Sequence, residues 1–222
     1  MCLRSLSRFA LVTMVLIGLG CSEPAWAVTQ VSACGPLGKA NETYVVTASL
    51  SAPGTCFLVQ ANGITIDLAG NTLSGPGGVG AGVWDGGVAR PSTTVKNGTI
   101  QGFAYGILLQ PSARSTIRNL TVVGNDYGLL LGNQALVKSS VVQGNSQSGI
   151  VLGDAGQVQD CLVGGIPTGT PGAGAASDGE GNGQYGIVAG QRTLVTANTV
   201  NGNGATGILV GISSTVTSNT VN

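Results

Sequence analysis

The sequence of 222 residues predicts an all-β fold in which the chain winds into a single-stranded parallel β-helix. This is a solenoid whose turns take ~21 residues each. A six-residue segment with β-branched first and sixth places recurs with starting positions that differ by 22, 20, 21, 37 and 21. A recurring glycine has the same period, with successive positions that differ by 22, 21, 37 and 21. Such self-similarity indicates a stacked repeat, and no segment after residue 28 carries a sustained helical period. The segments begin at Val95, Ile117, Val137, Val158, Val195 and Val216.

Each repeat predicts two strands. The six-residue segment places a polar residue between β-branched ones, so one side of the strand faces the core and the other faces solvent. A shorter apolar strand follows the recurring glycine, as Ile107 to Leu109 follow Gly106. A helical half and the leucine-rich repeat pattern are both missing from the sequence, which favours a β-helix over that fold.

The segment over 1–27 is typical of a signal peptide. Arg4 and Arg8 precede an apolar run over 9–20, and Ala25-Trp26-Ala27 forms a small-residue cleavage site before Val28. The apolar run is shorter than the ~20 residues of a membrane span. We therefore expect a secreted or periplasmic protein without a transmembrane span; lipid attachment at Cys21 is the alternative.

Charge and composition exclude several functional classes. The chain has nine basic and nine acidic residues and no histidine. Histidine-dependent catalytic triads and histidine-ligated zinc sites are therefore excluded. A net charge of zero provides no basic field to attract nucleic acid.

Three cysteines follow the leader. Cys34 and Cys56 bracket a segment within residues 28–62, which we interpret as an N-terminal cap before repeats over 63–222. An exported protein meets oxidising conditions, so a Cys34–Cys56 disulfide is expected. A redox or metal-binding pair is the alternative. Cys161 falls within the repeats and is expected to be a small buried hydrophobic residue.

The stretch GITIDLAGNTLSG over 63–75, followed by VKNGTI over 95–100, resembles the opening turns of the pectin-lyase-like superfamily. It resembles in particular the exported bacterial right-handed β-helix repeat proteins, which often begin with a Cys-Gly pair, like Cys34-Gly35 here, and a second cysteine, like Cys56. The resemblance implies a right-handed solenoid and contact with polysaccharide. Because the superfamily includes lyases, hydrolases, epimerases and non-catalytic binders, it implies no single activity.

Lys96, Arg118 and Lys138 occupy the polar second place in three successive segments. Parallel pairing would space these cations by about 4.8 Å, where like charges repel. An anionic ligand such as a uronate chain would relieve the repulsion. Alternatively, the long side chains spread into water without a ligand.

Tyr105, Tyr127 and Tyr185 share the place before the recurring glycine. Aromatic rings on a regular ladder could stack on sugar rings, and the hydroxyls could form hydrogen bonds. Because Ser148 and Thr206 fill the same place elsewhere, stacking between neighbouring turns is the alternative explanation.

The third place of the segment carries mainly small polar residues. We expect them to face inward, Asn119 included, and to form hydrogen bonds from turn to turn as in an asparagine ladder. These residues are Asn97, Asn119, Ser139, Asp160, Ala197 and Ser218.

The longest step, between the segments that begin at Val158 and Val195, contains a Gly/Ala/Pro-rich insertion over 166–181. Asp178 and Glu180 within it could contribute oxygen ligands to Ca²⁺; the alternative is a solvated loop without a cofactor.

The catalytic signal is weak. Glycoside hydrolysis needs two carboxylates flanking the bond, and no acidic residue repeats at one outward place in neighbouring turns. The alternative to a binding module is a uronate lyase with Arg118 or Lys138 as base, with or without Ca²⁺. Asp126 beside Tyr127, on the turn of Arg118, is the best remaining constellation. We expect polysaccharide binding more than cleavage.

Two further expectations concern surfaces. The threonines at 196, 199, 217 and 220 suggest an ice- or mineral-facing sheet as a third hypothesis. The sequence stops within a segment at Asn222 without a visible cap, which predicts end-to-end self-association through that turn.

Overall fold

The computed structural model describes residues 28–165 and 181–222. Within these ranges all regular secondary structure is β-strand. The strands pair in parallel with the equivalent strands of the preceding and following turns, which gives a solenoid of about eight turns with three faces. The predicted leader, Asp178 and Glu180 lie outside the described residues. Within the described ranges, no helix is long and apolar enough to span a membrane.

The first face is formed by nine strand segments, numbered here along the chain. They are β1 (Val28–Val31), β3 (Thr43–Val46), β6 (Thr65–Asp67), the first half of β9 (Thr94–Gln101), the first half of β11 (Thr116–Val123), β13 (Leu136–Lys138), β16 (Gln157–Gln159), β19 (Leu194–Thr196) and β22 (Thr215–Thr217).

The second face continues the same sheet, because β9 and β11 run through the corner without a break. It consists of their second halves together with β4 (Leu50–Ser51), β7 (Thr72–Ser74), β14 (Val141–Gln143), β17 (Leu162–Gly164), β20 (Thr199–Asn201) and β23 (Thr220–Val221).

The third face is a separate eight-stranded sheet. Its strands are β2 (Gly35–Leu37), β5 (Phe57–Val59), β8 (Ala81–Trp84), β10 (Tyr105–Leu109), β12 (Tyr127–Leu131), β15 (Ile150–Leu152), β18 (Ile187–Ala189) and β21 (Ile208–Val210).

The core is a set of aliphatic columns that run along the solenoid axis. On the first face the predicted β-branched places are fully buried from Val95 to Val195 and pair in register with one another. Inward alternation therefore stacks one branched side chain on the next, as the period predicted.

The predicted cap contributes the first turns of the solenoid. Strands β1 to β5 lie within residues 28–59 and pair in register with later strands, so the paired turns begin before residue 63. The Cys34–Cys56 disulfide is present as predicted, with the two Cα atoms 4.6 Å apart. The two cysteines precede Gly35 and Phe57, which are paired, so the bridge joins equivalent positions of consecutive turns.

The third place of the segment forms the corner between the first and second faces, and the prediction that it faces inward is wrong. All six residues have positive φ, between 48° and 62°, and Asn119 is exposed. A left-handed residue bends the chain at the corner and turns its own side chain away from the core. The following residue faces inward instead, as shown by Cys161, whose burial raises the pKa of its thiol to about 11.

An inward ladder of four asparagines lies at the next corner, between the second and third faces. Asn125 Nδ2 donates to Asn145 Oδ1 at 3.1 Å, and Asn145 Nδ2 donates to Asn182 Oδ1 at 2.8 Å. Asn182 Nδ2 continues to Asn203 Oδ1 at 2.9 Å. The available sequence signal was a repeated Gly-Asn pair at 124–125, 144–145, 181–182 and 202–203.

Asparagines also bond from turn to turn at the first corner. Asn119 Nδ2 donates to Asn97 Oδ1 at 3.3 Å at the third place, and Asn198 Nδ2 donates to Asn219 Oδ1 at 2.9 Å at the place that follows it. The predicted turn-to-turn bond is therefore present for Asn97 and Asn119, although these residues do not face the core.

Candidate functional site

The outer surface of the third face carries two columns of side chains. In strands β5 to β18 of this face one outward residue lies between two buried residues, as Leu130 lies between Leu129 and Leu131 in β12, and Leu209 of β21 is exposed at the equivalent place. We call these outward residues the apolar column: Leu58, Trp84, Leu108, Leu130, Val151, Val188 and Leu209.

A second column lies beside it, three residues before the residue of the apolar column in each turn. Tyr105 pairs with Ala81 on one side and with Tyr127 on the other. We call this the aromatic column, and its members are Thr55, Ala81, Tyr105, Tyr127, Ser148, Tyr185 and Thr206, of which Ala81 and Ser148 are buried.

The recurring glycine lies between the two columns. It is buried together with the residue that follows it, so two inward residues in succession separate the two outward ones. In β10 both Gly106 and Ile107 are buried, while Tyr105 and Leu108 on either side are partly exposed. A Cβ atom on Gly106 would lie 2.5 Å from the carbonyl oxygen of Gly128 in the next turn and 2.7 Å from Val122 Cγ1. Only glycine therefore allows successive turns to approach closely here.

Tyr105 and Tyr127 stack on each other, with ring centroids 5.5 Å apart and an interplanar angle of 11°. Stacking between neighbouring turns, the alternative considered from the sequence, is therefore present for this pair. On the opposite side of Tyr105 the register places Ala81, whose side chain is too small to cover a tyrosine ring.

A pocket of about 160 Å³ results at this point, lined by Thr55, Gly80, Ala81, Trp84, Tyr105 and Leu108. It is smaller than the 300–1,000 Å³ of typical small-molecule sites, so it fits a single ring rather than a whole extended ligand. The Ala81 N–H donates to Thr55 Oγ1 at 3.2 Å, and this hydroxyl also carries a hydrogen that it can donate to a ligand oxygen. The sequence did not reveal Trp84 or Ala81 as site residues.

Asp85 lies directly behind the pocket but does not reach it. It follows Trp84 and is only 2% exposed. Its carboxylate accepts hydrogen bonds from Ser112 Oγ at 2.7 Å and from the Gly87 N–H at 3.1 Å. Burial raises the pKa of Asp85 above its usual value, and these hydrogen bonds offset only part of that effect. Asp85 is therefore part of the interior of the turn.

The basic column of Lys96, Arg118 and Lys138 lies in register on the first face. Lys96 Nζ is 2.9 Å from Asp67 Oδ2, and Lys138 Nζ is 3.8 Å from Asp160 Oδ2. Burial alone would raise the pKa of Asp67, but bonds from Lys96, the Ala69 N–H and Asn97 lower it below its usual value. Two of the three cations are thus already paired with carboxylates of the same chain.

The structure separates the predicted site residues. The basic column lies on the first face, whereas Tyr105, Tyr127 and Tyr185 lie on the third. Asp126 lies at the corner before Tyr127 and accepts a hydrogen bond from Ser146 Oγ at 3.1 Å. The second face separates it from Arg118, so the structure does not form the expected Arg118–Asp126 constellation.

Few charged groups cluster in the part of the chain that the structure describes. Its ion pairs are Lys96–Asp67, Lys138–Asp160 and Arg192–Asp154. No group of three or more His, Cys, Asp or Glu side chains that could hold a metal ion occurs within 28–165 and 181–222.

A family model described as a right handed beta helix region matches residues 40–182, more than half of the chain. The chain belongs to this right-handed β-helix family. Membership confirms the predicted fold class and the hand of the solenoid. A comparison with curated protein sequences finds no match.

Three solved structures are similar to this β-helix. The enzymatically active domain of tailspike protein 2 of bacteriophage CBA120 has a TM-score of 0.59 at 14% identity, over 89% of this chain and 39% of that one. The A-module of the Azotobacter vinelandii mannuronan C-5 epimerase AlgE4 has a TM-score of 0.52 at 14% identity, over 84% and 66%. ORF18 of Geobacillus virus E2 has a TM-score of 0.51 at 12% identity, over 84% and 50%. The β-helix thus spans less than two thirds of each of these proteins, and at such identities the likeness shows the fold alone.

Proposed function

We propose that this β-helix binds an extended polysaccharide along its third face and that the pocket between Trp84 and Tyr105 holds one sugar ring. The observation that carries the proposal is the pairing of Tyr105 with the small Ala81, beside which a pocket is lined by both residues and by Trp84. Sugar rings present C–H groups that pack against aromatic rings, and their hydroxyls can bond to groups such as Thr55 Oγ1 and Tyr105 Oη.

The shape of the face favours a polymer over a small ligand. The apolar and aromatic columns run parallel to the solenoid axis through successive turns, at the spacing of about 4.8 Å that parallel strands impose. A linear chain laid along the axis would meet similar contacts at every turn. The name of one similar structure, a mannuronan C-5 epimerase, is that of an enzyme acting on a polysaccharide, which supports a carbohydrate ligand.

Binding is favoured over hydrolysis because the third face offers no pair of carboxylates. In the described residues Asp126 lies at one edge of this face and Asp154 near the other, on different turns. Asp154 is occupied by the Gln191 N–H and by Arg192. A hydrolase needs two carboxyl groups on either side of one bond, and the Asp85 carboxylate is buried.

The second candidate is a uronate lyase on the first face. The register of Lys96, Arg118 and Lys138 favours it, with Arg118 or Lys138 as base and Ca²⁺ neutralising the uronate. The ion pairs of Lys96 and Lys138 reduce the positive charge that this face offers to an anionic chain.

Both candidate functions are compatible with a location in an oxidising compartment. The Cys34–Cys56 bridge supports the export expected from the leader, because disulfides persist in secreted and periplasmic proteins. We therefore place the protein outside the cytoplasm as part of the proposal.

The test combines retention on immobilised polysaccharides with ultraviolet absorbance of any unsaturated product. We expect retention without product, and a loss of affinity of about tenfold in Trp84→Ala, since a well-packed aromatic contact contributes ~1–2 kcal/mol. Arg118→Gln is the matched control on the first face and should bind like the wild type. Unsaturated product from a uronate polymer, abolished by Arg118→Gln, would replace this proposal with the lyase.

A further inference from the structure

We infer that the ligand of the third face is a neutral polysaccharide and that this face discriminates against uronate chains. The inference rests on the proposed binding function and adds the class of ligand. It follows from the charge of the two outward columns, from the uncharged lining of the pocket and from the kind of polar groups that the columns offer.

The apolar and aromatic columns contain no acidic or basic residue in any turn from Thr55 to Leu209. The first face differs in charge, because one of its outward places carries Asp67, Lys96, Arg118 and Lys138 in successive turns. A uronate carries one negative charge per sugar unit. Losing water around such charges without a cation opposite them is unfavourable, so an uncharged surface selects against them.

Arg90 does not line the pocket, although it acts on the carboxylate behind it. The main-chain N–H of Arg90 donates to Ser112 Oγ at 2.7 Å, and the same hydroxyl donates to the Asp85 carboxylate behind Trp84. The positive charge of Arg90 lowers the pKa of Asp85, although burial raises it more. The residues that line the pocket therefore include no cation to face a ligand carboxylate.

The polar groups that the columns do offer are hydroxyls. Tyr105, Tyr127 and Tyr185 are partly exposed in the aromatic column, and Thr55 borders the pocket. Hydroxyls both donate and accept hydrogen bonds and therefore match the hydroxyls of a neutral sugar, while adjacent Leu108 and Trp84 match its apolar ring face.

The experiment compares neutral gluco- and manno-oligosaccharides with mannuronate and galacturonate oligosaccharides of the same length. Binding is measured by titration calorimetry at low and at high salt. We expect the neutral oligosaccharides to bind at least tenfold more tightly, with an affinity that salt does not change, since no exposed charge pair forms. Trp84→Ala should weaken the binding of the neutral oligosaccharides.

A substitution in the apolar column sharpens the test. Leu130→Lys should weaken the neutral ligand and strengthen the uronate, with the gain disappearing at high salt. Leu130→Gln is the matched control, because it removes the apolar side chain without adding charge. The far-ultraviolet circular dichroism of each variant shows whether the solenoid remains folded.

The outcomes separate the two proposals. Equal or tighter uronate binding that still depends on Trp84 would overturn the neutral specificity and leave the binding face intact. If Trp84→Ala keeps its fold and binds both kinds of oligosaccharide as tightly as the wild type, the proposed site is overturned as well. If the third face instead pairs two copies of the chain, light scattering will show a dimer that Leu130→Lys dissociates, and both proposals fail.

Discussion

The first and third faces of this solenoid are built by the same turns, yet they present opposite surfaces to solvent. Inside, both are closed by fully buried aliphatic columns, represented by Val137 on the first face and Leu129 on the third. Outside, the first face carries cations and carboxylates that pair with each other, as Lys96 does with Asp67, while the third carries aromatic and aliphatic side chains. The inward places therefore determine the fold, and the outward places are free to determine the ligand.

The largest expected effect tests the alternation of the third face. Leu129→Ala should lower the free energy of unfolding by about 3 kcal/mol, because it removes a fully buried side chain and leaves a cavity. Leu130→Ala, its neighbour in the apolar column, should lower it by less than about 1 kcal/mol. Urea denaturation followed by circular dichroism measures both, and equal losses would contradict the assignment of Leu130 to the outer surface.

A second substitution tests why the third face, unlike the first, has a glycine at the same place in every turn from β8 to β21. Gly106→Ala should destabilise by about 1–3 kcal/mol, since the added Cβ meets the backbone of the next turn. Gly35→Ala is the matched control in β2, because no atom lies within 4 Å of its added Cβ and its φ is not positive. It should be neutral or slightly stabilising. Thermal denaturation that ranks the two in the opposite order would refute this packing argument.

A third substitution tests the charge pairing of the first face. Asp67→Asn should lower the free energy of unfolding by about 1 kcal/mol at pH 7, because it removes the partner of Lys96. The folded pKa of Asp67 is lowered, so its contribution is complete above the unfolded value of ~3.9 and is lost as pH falls through the folded value.

Urea denaturation across the acidic range should therefore show the wild type and Asp67→Asn converging as the pH falls. Lys96→Met should remove the same pH-dependent part of the stability. A difference between wild type and variant that persists at the lowest pH would assign the effect to packing instead of charge.

The smallest expected effect is that of Lys138→Ala. Its ion pair with Asp160 spans 3.8 Å, and both side chains are about half exposed, at 49% and 52%. Exposed pairs of this kind contribute little and are screened by salt, so the change should stay below about 0.5 kcal/mol and should shrink further at high salt. A loss above ~1 kcal/mol in urea denaturation would show that this ion pair on the first face stabilises the fold more than exposed pairs usually do.

The sequence predicted the fold because the solenoid restricts the inward places strongly. Val95, Ile117 and Val137 stack on one another, and β-branched residues pack well in such a column, so the period is visible in the sequence. The corner residues were misassigned for a physical reason. Small polar residues are suited both to a positive φ, as at Asn119, and to an inward ladder, as at Asn145, and residue type alone does not distinguish the two.

The site was predictable only in part. Tyr105 and Tyr127 were identified because they precede the recurring glycine. Leu108 lies between Ile107 and Leu109 without a polar residue to mark the outer side. Ala81 is significant only through its pairing with Tyr105, which is a property of the register and not of the local sequence.

The asparagine ladder also has a consequence for how such a protein can diversify. The bond from Asn145 to Asn182 joins residues 37 positions apart at 2.8 Å, while the bond from Asn125 to Asn145 joins residues 20 positions apart at 3.1 Å. The ladder therefore joins neighbouring turns at this corner both where 20 and where 37 positions separate the two asparagines. Because β18 of the third face follows directly, the corner is a permissive point where evolution or grafting can change what borders the ligand while the core stays the same.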